Sequence, residues 1–90
     1  MMKITVLETG GKVSILLEGK LVEDWVVELE RCWEQIQTSP ERIAVDLTAV
    51  TSVDAAGKAL LDRIHRAGSV LVEGPGLLTS YIVEQIRKPA

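Results

Sequence analysis

The order of strand-like and helix-like patterns constrains the fold of this chain more than any other feature. Apolar and polar residues alternate along residues 3–8 and again along residues 13–18, the period of two expected of half-buried strands. Gly10 and Gly11 lie between these segments, and paired glycines supply the positive φ angles of a tight hairpin. The sequence therefore predicts an antiparallel β-hairpin whose second strand ends at Gly19.

Two later segments carry the 3.6-residue period of amphipathic helices. The first covers residues 22–37 and ends before Pro40, because proline disfavours helical geometry in the residue before it. Its predicted buried stripe consists of Trp25, Leu29, Cys32, Trp33 and Ile36. The second covers residues 55–67, between Asp54 as the N-cap and Gly68 as the terminating residue. Its predicted buried stripe consists of Ala56, Leu60, Leu61, Ile64 and Ala67. The alternative for the two Trp residues is exposure of one of them as a binding anchor.

Two further strands are predicted on either side of the second helix. Residues 42–47 contain a near-continuous apolar run, which is typical of a strand covered on both faces in a parallel sheet. Residues 48–53 are predicted as a loop, with Val50 and Val53 directed inward. Residues 69–73 are predicted as the last strand.

The break Gly74-Pro75-Gly76 precedes a third helical pattern at residues 77–88, which ends at Pro89. The resulting order is ββαβαβα within a single domain, residues 1–90, and the alternation indicates an α/β fold with right-handed crossovers. We predict a small mixed β-sheet with a leading β-hairpin. Its strands pair in sequence order, the first pair antiparallel and the rest parallel. The last strand is then an open edge, which makes a homodimer a candidate assembly.

The composition excludes several classes of function. The formal net charge is −3, whereas nucleic acids and anionic membrane surfaces require a basic patch, so no nucleic-acid partner is expected. No apolar run approaches the about 20 residues of a membrane span, and the start of the chain lacks the apolar core of a signal peptide. We therefore expect a cytoplasmic protein without membrane insertion. One Cys and one His exclude an internal disulfide and disfavour zinc, so no metal or other cofactor is predicted.

Few residues are candidates for catalysis. Asp46 and Asp54 could act as paired acids, but helix capping by Asp54 and bonding of loop amides by Asp46 explain both better. His65 is interpreted as a solvated residue on a helix face, and Cys32 as a small buried apolar residue. Gly74-Pro75-Gly76 lacks the spacing of a phosphate-binding loop and is interpreted as a turn. The sequence therefore predicts that the protein is not an enzyme.

Residues 46–57, Asp-Leu-Thr-Ala-Val-Thr-Ser-Val-Asp-Ala-Ala-Gly, followed by Leu60 and Leu61, resemble the signature of the STAS domain. This family comprises sulfate transporters and anti-sigma-factor antagonists. Residues 17–21, Leu-Glu-Gly-Lys-Leu, are similar to the pattern aliphatic-x-Gly-x-Leu before the first helix of the family. The resemblance covers nearly the whole chain. It implies a STAS-like fold that is truncated relative to longer members, which add a strand and a helix.

The resemblance also implies a bacterial regulatory module that binds a serine kinase acting as an anti-sigma factor, or another signalling protein. The partner-binding residues that it implies are Thr48, Thr51, Ser52, Asp54, Ala55, Ala56, Gly57 and Lys58. In bacterial antagonists the residue after the second Asp is a phosphorylated serine, whereas Ala55 has no hydroxyl group. Ser52 and Thr51, in the same predicted loop, are the alternative sites of phosphorylation. Lys58 stands where the family has leucine; it is either a solvated residue of the helix face or a residue that binds an acidic group of the partner.

Two other functions stay open at this stage. Stand-alone STAS proteins also occur as accessory subunits of membrane transporters, and some STAS domains are thought to bind nucleotides. The genes beside this one would identify a transporter. A nucleotide that binds the folded state would raise its melting temperature.

Overall fold

The computed structural model describes residues 2–74 and 82–86 of the chain. Four strands, two long helices and one short 3₁₀ turn follow one another, and residues 82–86 are helical and belong to a third helix, α3. In chain order the elements before α3 are β1 (Met2–Thr9), β2 (Lys12–Leu21), α1 (Asp24–Gln35), the 3₁₀ turn (Pro40–Arg42), β3 (Ile43–Val53), α2 (Ala55–Arg66) and β4 (Val70–Val72). The remainder of the predicted break and third helix, residues 75–81 and 87–90, lies outside the described residues. The result is a small mixed α/β fold.

The sheet has the order β1-β2-β3-β4, which confirms the predicted pairing. β1 pairs with β2 antiparallel, and β2–β3 and β3–β4 are parallel. α1 and α2 lie side by side, with the guanidinium of Arg63 donating to the carboxylate of Glu30 at 2.6 Å. Two right-handed crossovers that advance in the same direction place both helices on the same face of a sheet.

The core lies between this face and the helices. The inward residues of β2 and β3 alternate with outward ones, as the period of a strand requires. The fully buried large side chains are Ile15, Leu17, Leu21, Leu29, Val45, Leu47, Leu61, Ile64 and Val83. Among the described residues the helices cover one face only. On the other face Ala44 and Asp46 of β3 are partly exposed, so the expectation of a strand at residues 42–47 covered on both faces is wrong.

Residues 48–53, predicted as a loop, are part of β3. The register between β2 and β3 shifts between Leu16 and Glu18 and again between Gly19 and Lys20, so that β3 contains an extra residue at each place. Extra residues of this kind interrupt the alternation of inward and outward side chains. The period of two is therefore lost here, although the strand pairing continues to Val53 and β2 extends beyond Gly19.

The two helices differ from their predicted buried stripes. α1 begins at Asp24, two residues later than predicted, and it buries Val26 beside Leu29. Trp25, Trp33 and Ile36 are half-buried and pack against the core. In α2 the predicted core residues Ala56 and Ala67 are exposed, and Gly57 is buried in the row that continues to Leu60, Leu61 and Ile64. Leu29 in α1 and Leu60, Leu61 and Ile64 in α2 are buried as predicted, so each buried stripe is displaced by only a fraction of the angle between consecutive residues.

A polar chain closes the end of the core far from the helix starts. The indole Nε1–H of Trp33 donates to Oγ of Ser69 at 3.2 Å, and this hydroxyl donates to the carbonyl of Pro40 at 2.8 Å. Ser69 is the buried polar residue among the described positions, and both of its bonds are made inside the fold. No helix in the described ranges has both the length and the apolar character to cross a membrane.

Candidate docking site at the start of α2

The candidate site lies at the edge of the sheet where β2 and β3 end and where α1 and α2 begin. The backbone N–H of Asp54 donates to the carbonyl of Leu21 at 3.2 Å, which joins the ends of the two strands. In open α/β sheets the carboxyl ends of parallel strands are the usual location of binding sites. This edge brings the two helix starts into one region.

The carboxylate of Asp54 binds both helix starts at once. Its Oδ1 accepts the backbone N–H of Gly57 at 2.7 Å, which confirms the predicted N-cap of α2. Its Oδ2 accepts the backbone N–H of Glu23 at 2.9 Å, and Glu23 is the residue that precedes α1. The half-buried Asp54 therefore connects two elements that are separated by 31 residues of sequence.

The same bonds affect the acidity of Asp54. The backbone N–H of Glu23 and then that of Gly57 lower the pKa of the Asp54 carboxyl below its usual value of 3.8, against a smaller opposing effect of desolvation. Hydrogen bonds donated to a carboxylate stabilise its charged form. Asp54 is therefore ionised throughout the physiological range, and both of its oxygens act as acceptors.

Gly57 allows the close approach of α2 to β2. A Cβ atom at this position would lie 2.8 Å from the carbonyl oxygen of Leu21 and 2.9 Å from Cγ1 of Val53. Both distances are shorter than van der Waals contact, so only glycine fits here without displacement of its neighbours. Among the residues implied to bind a partner, Gly57 lies beneath the surface and shapes it through the backbone.

The first turn of α2 presents small side chains and one cation. Ala55, Ala56 and Lys58 are all exposed. Nζ of Lys58 donates to Oε1 of Gln85 at 2.5 Å, which places α3 beside the first half of α2. The exposed part of the site is therefore a surface of two methyl groups bordered by an ammonium group.

The remaining residues implied to bind a partner belong to β3. Thr51 is exposed and Ser52 is half-buried, and both lie within three residues of Asp54. Thr48 is exposed but lies six residues before Asp54, which corresponds to roughly 15–20 Å of strand. Its N–H and its hydroxyl both donate to Oδ1 of Asp46, at 2.8 and 2.6 Å. Thr48 therefore lies at the margin of the site, and the Asp46 carboxylate binds a residue of its own strand.

The other candidates of the sequence lie apart from this edge. His65 belongs to the last turn of α2, eleven residues after Asp54, which is roughly 16 Å along a helix. Cys32 is half-buried in the second half of α1. Within residues 2–74 and 82–86, no group of three or more His, Cys, Asp and Glu side chains could hold a metal ion.

Glu23 belongs to the site, although no pattern in the sequence identifies it. The bond to Asp54 crosses 31 residues, and no local pattern around either residue indicates a partner at that separation. The nearest signal in the sequence is the similarity of residues 17–21 to a family pattern just before this position.

The strand order, the helix pair on one face and the capped start of α2 define a small mixed α/β fold of the STAS type. A solved structure shares this fold, that of the anti-sigma factor antagonist SpoIIAA in its unphosphorylated form. The TM-score is 0.65 and the identity is 18%, over 91% of this chain and 82% of SpoIIAA. At this identity the likeness concerns the fold.

A crystal structure of Mglu also contains this fold. The TM-score is 0.63 at 19% identity, and the match covers 81% of this chain but 20% of Mglu. The present chain thus spans about a fifth of the length of Mglu. No family model matches the sequence, and no curated protein matches it.

Proposed function

We propose that this chain is a regulatory protein-binding module of the anti-sigma-factor-antagonist type, that its 90 residues act as one domain, and that it works in the cytoplasm. The observation that carries the proposal is the exposed pair Ala55 and Ala56 on the first turn of α2, in a fold shared with an anti-sigma factor antagonist. The partner is a serine kinase of the anti-sigma-factor type or another signalling protein.

The chemistry of the surface favours protein contact over catalysis. Methyl groups offer apolar contact without a nucleophile or a titratable group, and the carboxylate of Asp54 is bound by two backbone N–H groups of the chain itself. Lys58 adds a charge at the border of the methyl surface. Such a combination of an apolar centre and a polar rim is typical of protein interfaces.

Ala55, the residue after Asp54, keeps this position of the module permanently unphosphorylated. In the bacterial antagonists that the chain resembles, a phosphorylated serine stands at this position and adds about −1.5 to −2 charges when modified. Ala55 has no hydroxyl, so we propose that the docking surface stays uncharged at this point. Among the alternatives, Ser52 is half-buried and Thr51 is exposed, so Thr51 is the more accessible hydroxyl.

Affinity capture from the native cell with a matched pair of variants tests the docking surface. Ala56→Glu places a charge at the centre of the surface, and a carboxylate in the first turn also favours the helix dipole, so the fold is retained. Gln35→Glu adds the same charge at the opposite end of α1, where the side chain is exposed. We expect a partner with a kinase-type sequence to bind the wild type and Gln35→Glu, and to be lost with Ala56→Glu.

Two results would contradict the proposal. Equal capture of the partner by the wild type and by Ala56→Glu would show that the start of α2 is not part of the interface. Capture of transporter subunits in place of a signalling protein would favour the accessory role in transport. Thermal unfolding of each variant confirms that the comparison is made between folded proteins.

Self-association through β4 is the second part of the proposal. β4 has three residues and pairs with β3 among the described strands, and its exposed side chains Val70 and Val72 are apolar. Strands at the edge of a sheet pair readily with a further strand unless charges or bulges prevent it. A second copy of this chain supplies such a strand.

A further inference from the structure

Glu23 has a backbone conformation that is unusual for its residue type. Among the described residues it is the single non-glycine residue with a positive φ, at 53° with ψ −123°. The N–H of Trp25 donates to the carbonyl of Val22 at 3.1 Å, which closes a four-residue turn with Glu23 at its second position. These angles are close to those of the first central residue of a type II′ turn, a position dominated by glycine. A side chain at this position stores backbone strain.

The strain at Glu23 is opposed by a bond from another element. The N–H of Glu23 donates to Oδ2 of Asp54, while Oδ1 of the same carboxylate caps α2 through Gly57. Asp54 is itself fixed, because its N–H donates to the carbonyl of Leu21 at the end of β2. The acceptor is therefore held in place independently of the residue that it constrains.

We infer that Asp54 is a positioning residue that holds Glu23 in its strained conformation and thereby fixes the start of α1 against the start of α2. Without the bond to Oδ2, the backbone at Glu23 relaxes to a negative φ and α1 begins in a different place. The bond and the strain are therefore coupled. The effect of a substitution at Glu23 on the free energy of unfolding depends on whether Asp54 is present. The consequence for binding rests on the proposed function, whereas the coupling itself does not.

A double-mutant cycle measured by urea unfolding tests the coupling. Glu23→Gly removes the cost of the positive φ, so we expect it to favour the folded state of the wild type about fivefold. Glu23→Ala removes the same carboxylate but keeps a Cβ atom, so it should give no such gain. This control distinguishes relief of backbone strain from removal of a charge near Asp54.

Asp54→Asn provides the second background of the double-mutant cycle. An asparagine oxygen still accepts the N–H of Gly57 and keeps the N-cap, but its amide group cannot accept the N–H of Glu23. In this background Glu23 is free to relax. Glu23→Gly then only adds flexibility to the unfolded chain and should disfavour the folded state about twofold or more. The expected result is a reversal of sign between the two backgrounds.

Amide hydrogen exchange gives a second, independent measurement. We expect the N–H of Glu23 to be protected in the wild type and to exchange faster in Asp54→Asn, while the N–H of Gly57 stays protected in both. The inference is overturned if Glu23→Gly fails to stabilise the wild type, or if it stabilises both backgrounds equally. Should Asp54→Asn leave the exchange of Glu23 unchanged, the bond does not hold this residue.

Binding is measured separately, so that the two proposals can fail independently. With the partner captured by the wild type, Asp54→Asn should weaken binding severalfold although Ala55, Ala56 and Lys58 are unchanged. Asp62→Asn, which removes the ion pair to Arg66 at the other end of α2, should not. A reversal of sign in the unfolding cycle without any partner would leave the positioning role intact and contradict the docking function. If a partner binds but the sign of the Glu23→Gly effect does not reverse, the docking function is retained and the positioning role of Asp54 is contradicted.

Discussion

Asp54 joins three elements of the fold at the candidate site. Its N–H and both carboxylate oxygens are bound within the chain, and its partners lie in β2, at the N-cap of α1 and in α2. A serine or threonine could cap α2, but a hydroxyl oxygen could not reach two N–H groups on opposite sides as a carboxylate does. The residue type is therefore explained by the junction of elements as well as by the helix cap.

The lowered pKa of Asp54 gives a prediction about pH. A carboxyl with a depressed pKa in the folded state stabilises the protein fully above its unfolded value, here 3.8, and loses this effect as pH falls through the folded pKa. We therefore expect Asp54→Asn to be less stable than the wild type at about pH 6, and the difference to shrink as the pH falls below 3.8. Urea unfolding of both proteins across this range measures the difference. A gap that stays constant at acidic pH would contradict it.

Glycine at position 57 gives a prediction at the same scale. On helix propensity alone, Gly57→Ala should stabilise α2 by about 1 kcal/mol. The contacts of the added Cβ with Leu21 and Val53 outweigh this gain, so we expect a net destabilisation of about 1–3 kcal/mol. Ala59→Gly, at an exposed position of the same helix, should cost about 1 kcal/mol and calibrates the propensity. A stabilised Gly57→Ala would show that α2 can move away from β2.

At the scale of the elements, local patterns identify the hairpin, α2 with its cap and the parallel order of the strands. The tail of β3 could not be predicted, because its two extra residues remove the alternation that marks a strand. The start of α1 could not be predicted either. A positive φ at a glutamate contradicts the usual preference of the residue and depends on a bond to Asp54 far along the chain.

At the candidate site too, local sequence patterns predict some residues, whereas others depend on contacts between distant parts of the chain. The residues of the α2 start are adjacent in sequence, so a family pattern and a capping rule suffice to place them on one turn. Glu23 reaches the same edge only through the fold of the sheet, because β2 and β3 must first lie side by side. Lys58 likewise meets Gln85 only when α3 packs against α2.

At the scale of the molecule, the two ends of the sheet differ in how they are protected. β1 ends the sheet with eight residues that include Lys3, which forms an ion pair with Glu18 at 4.0 Å, while β4 ends it with three residues of apolar character. The proposed self-association uses the β4 edge. A charged residue on an edge strand opposes pairing with a further strand.

Sedimentation over a wide dilution series tests this edge. We expect the mass of the wild type to rise with concentration and Val70→Lys to remain a monomer at the same concentrations. Val27→Lys is the matched control, because Val27 is exposed to the same extent but lies on α1. A wild-type mass that is independent of concentration would contradict the self-association, and equal effects of both lysines would remove β4 from the contact.

The positions of the two Trp residues have a practical consequence. Trp25 is the last residue of the turn that contains Glu23, whereas Trp33 is eight residues further along α1 and its indole N–H is bound to Ser69. The chain contains no Phe and one Tyr, so ultraviolet fluorescence excited at the indole band arises from the two ends of a single helix. With Trp33 replaced by Phe, the emission of the remaining indole reports on the beginning of α1 alone. Events at the proposed docking surface can thus be followed in real time with the protein's own chromophore and without a chemical label.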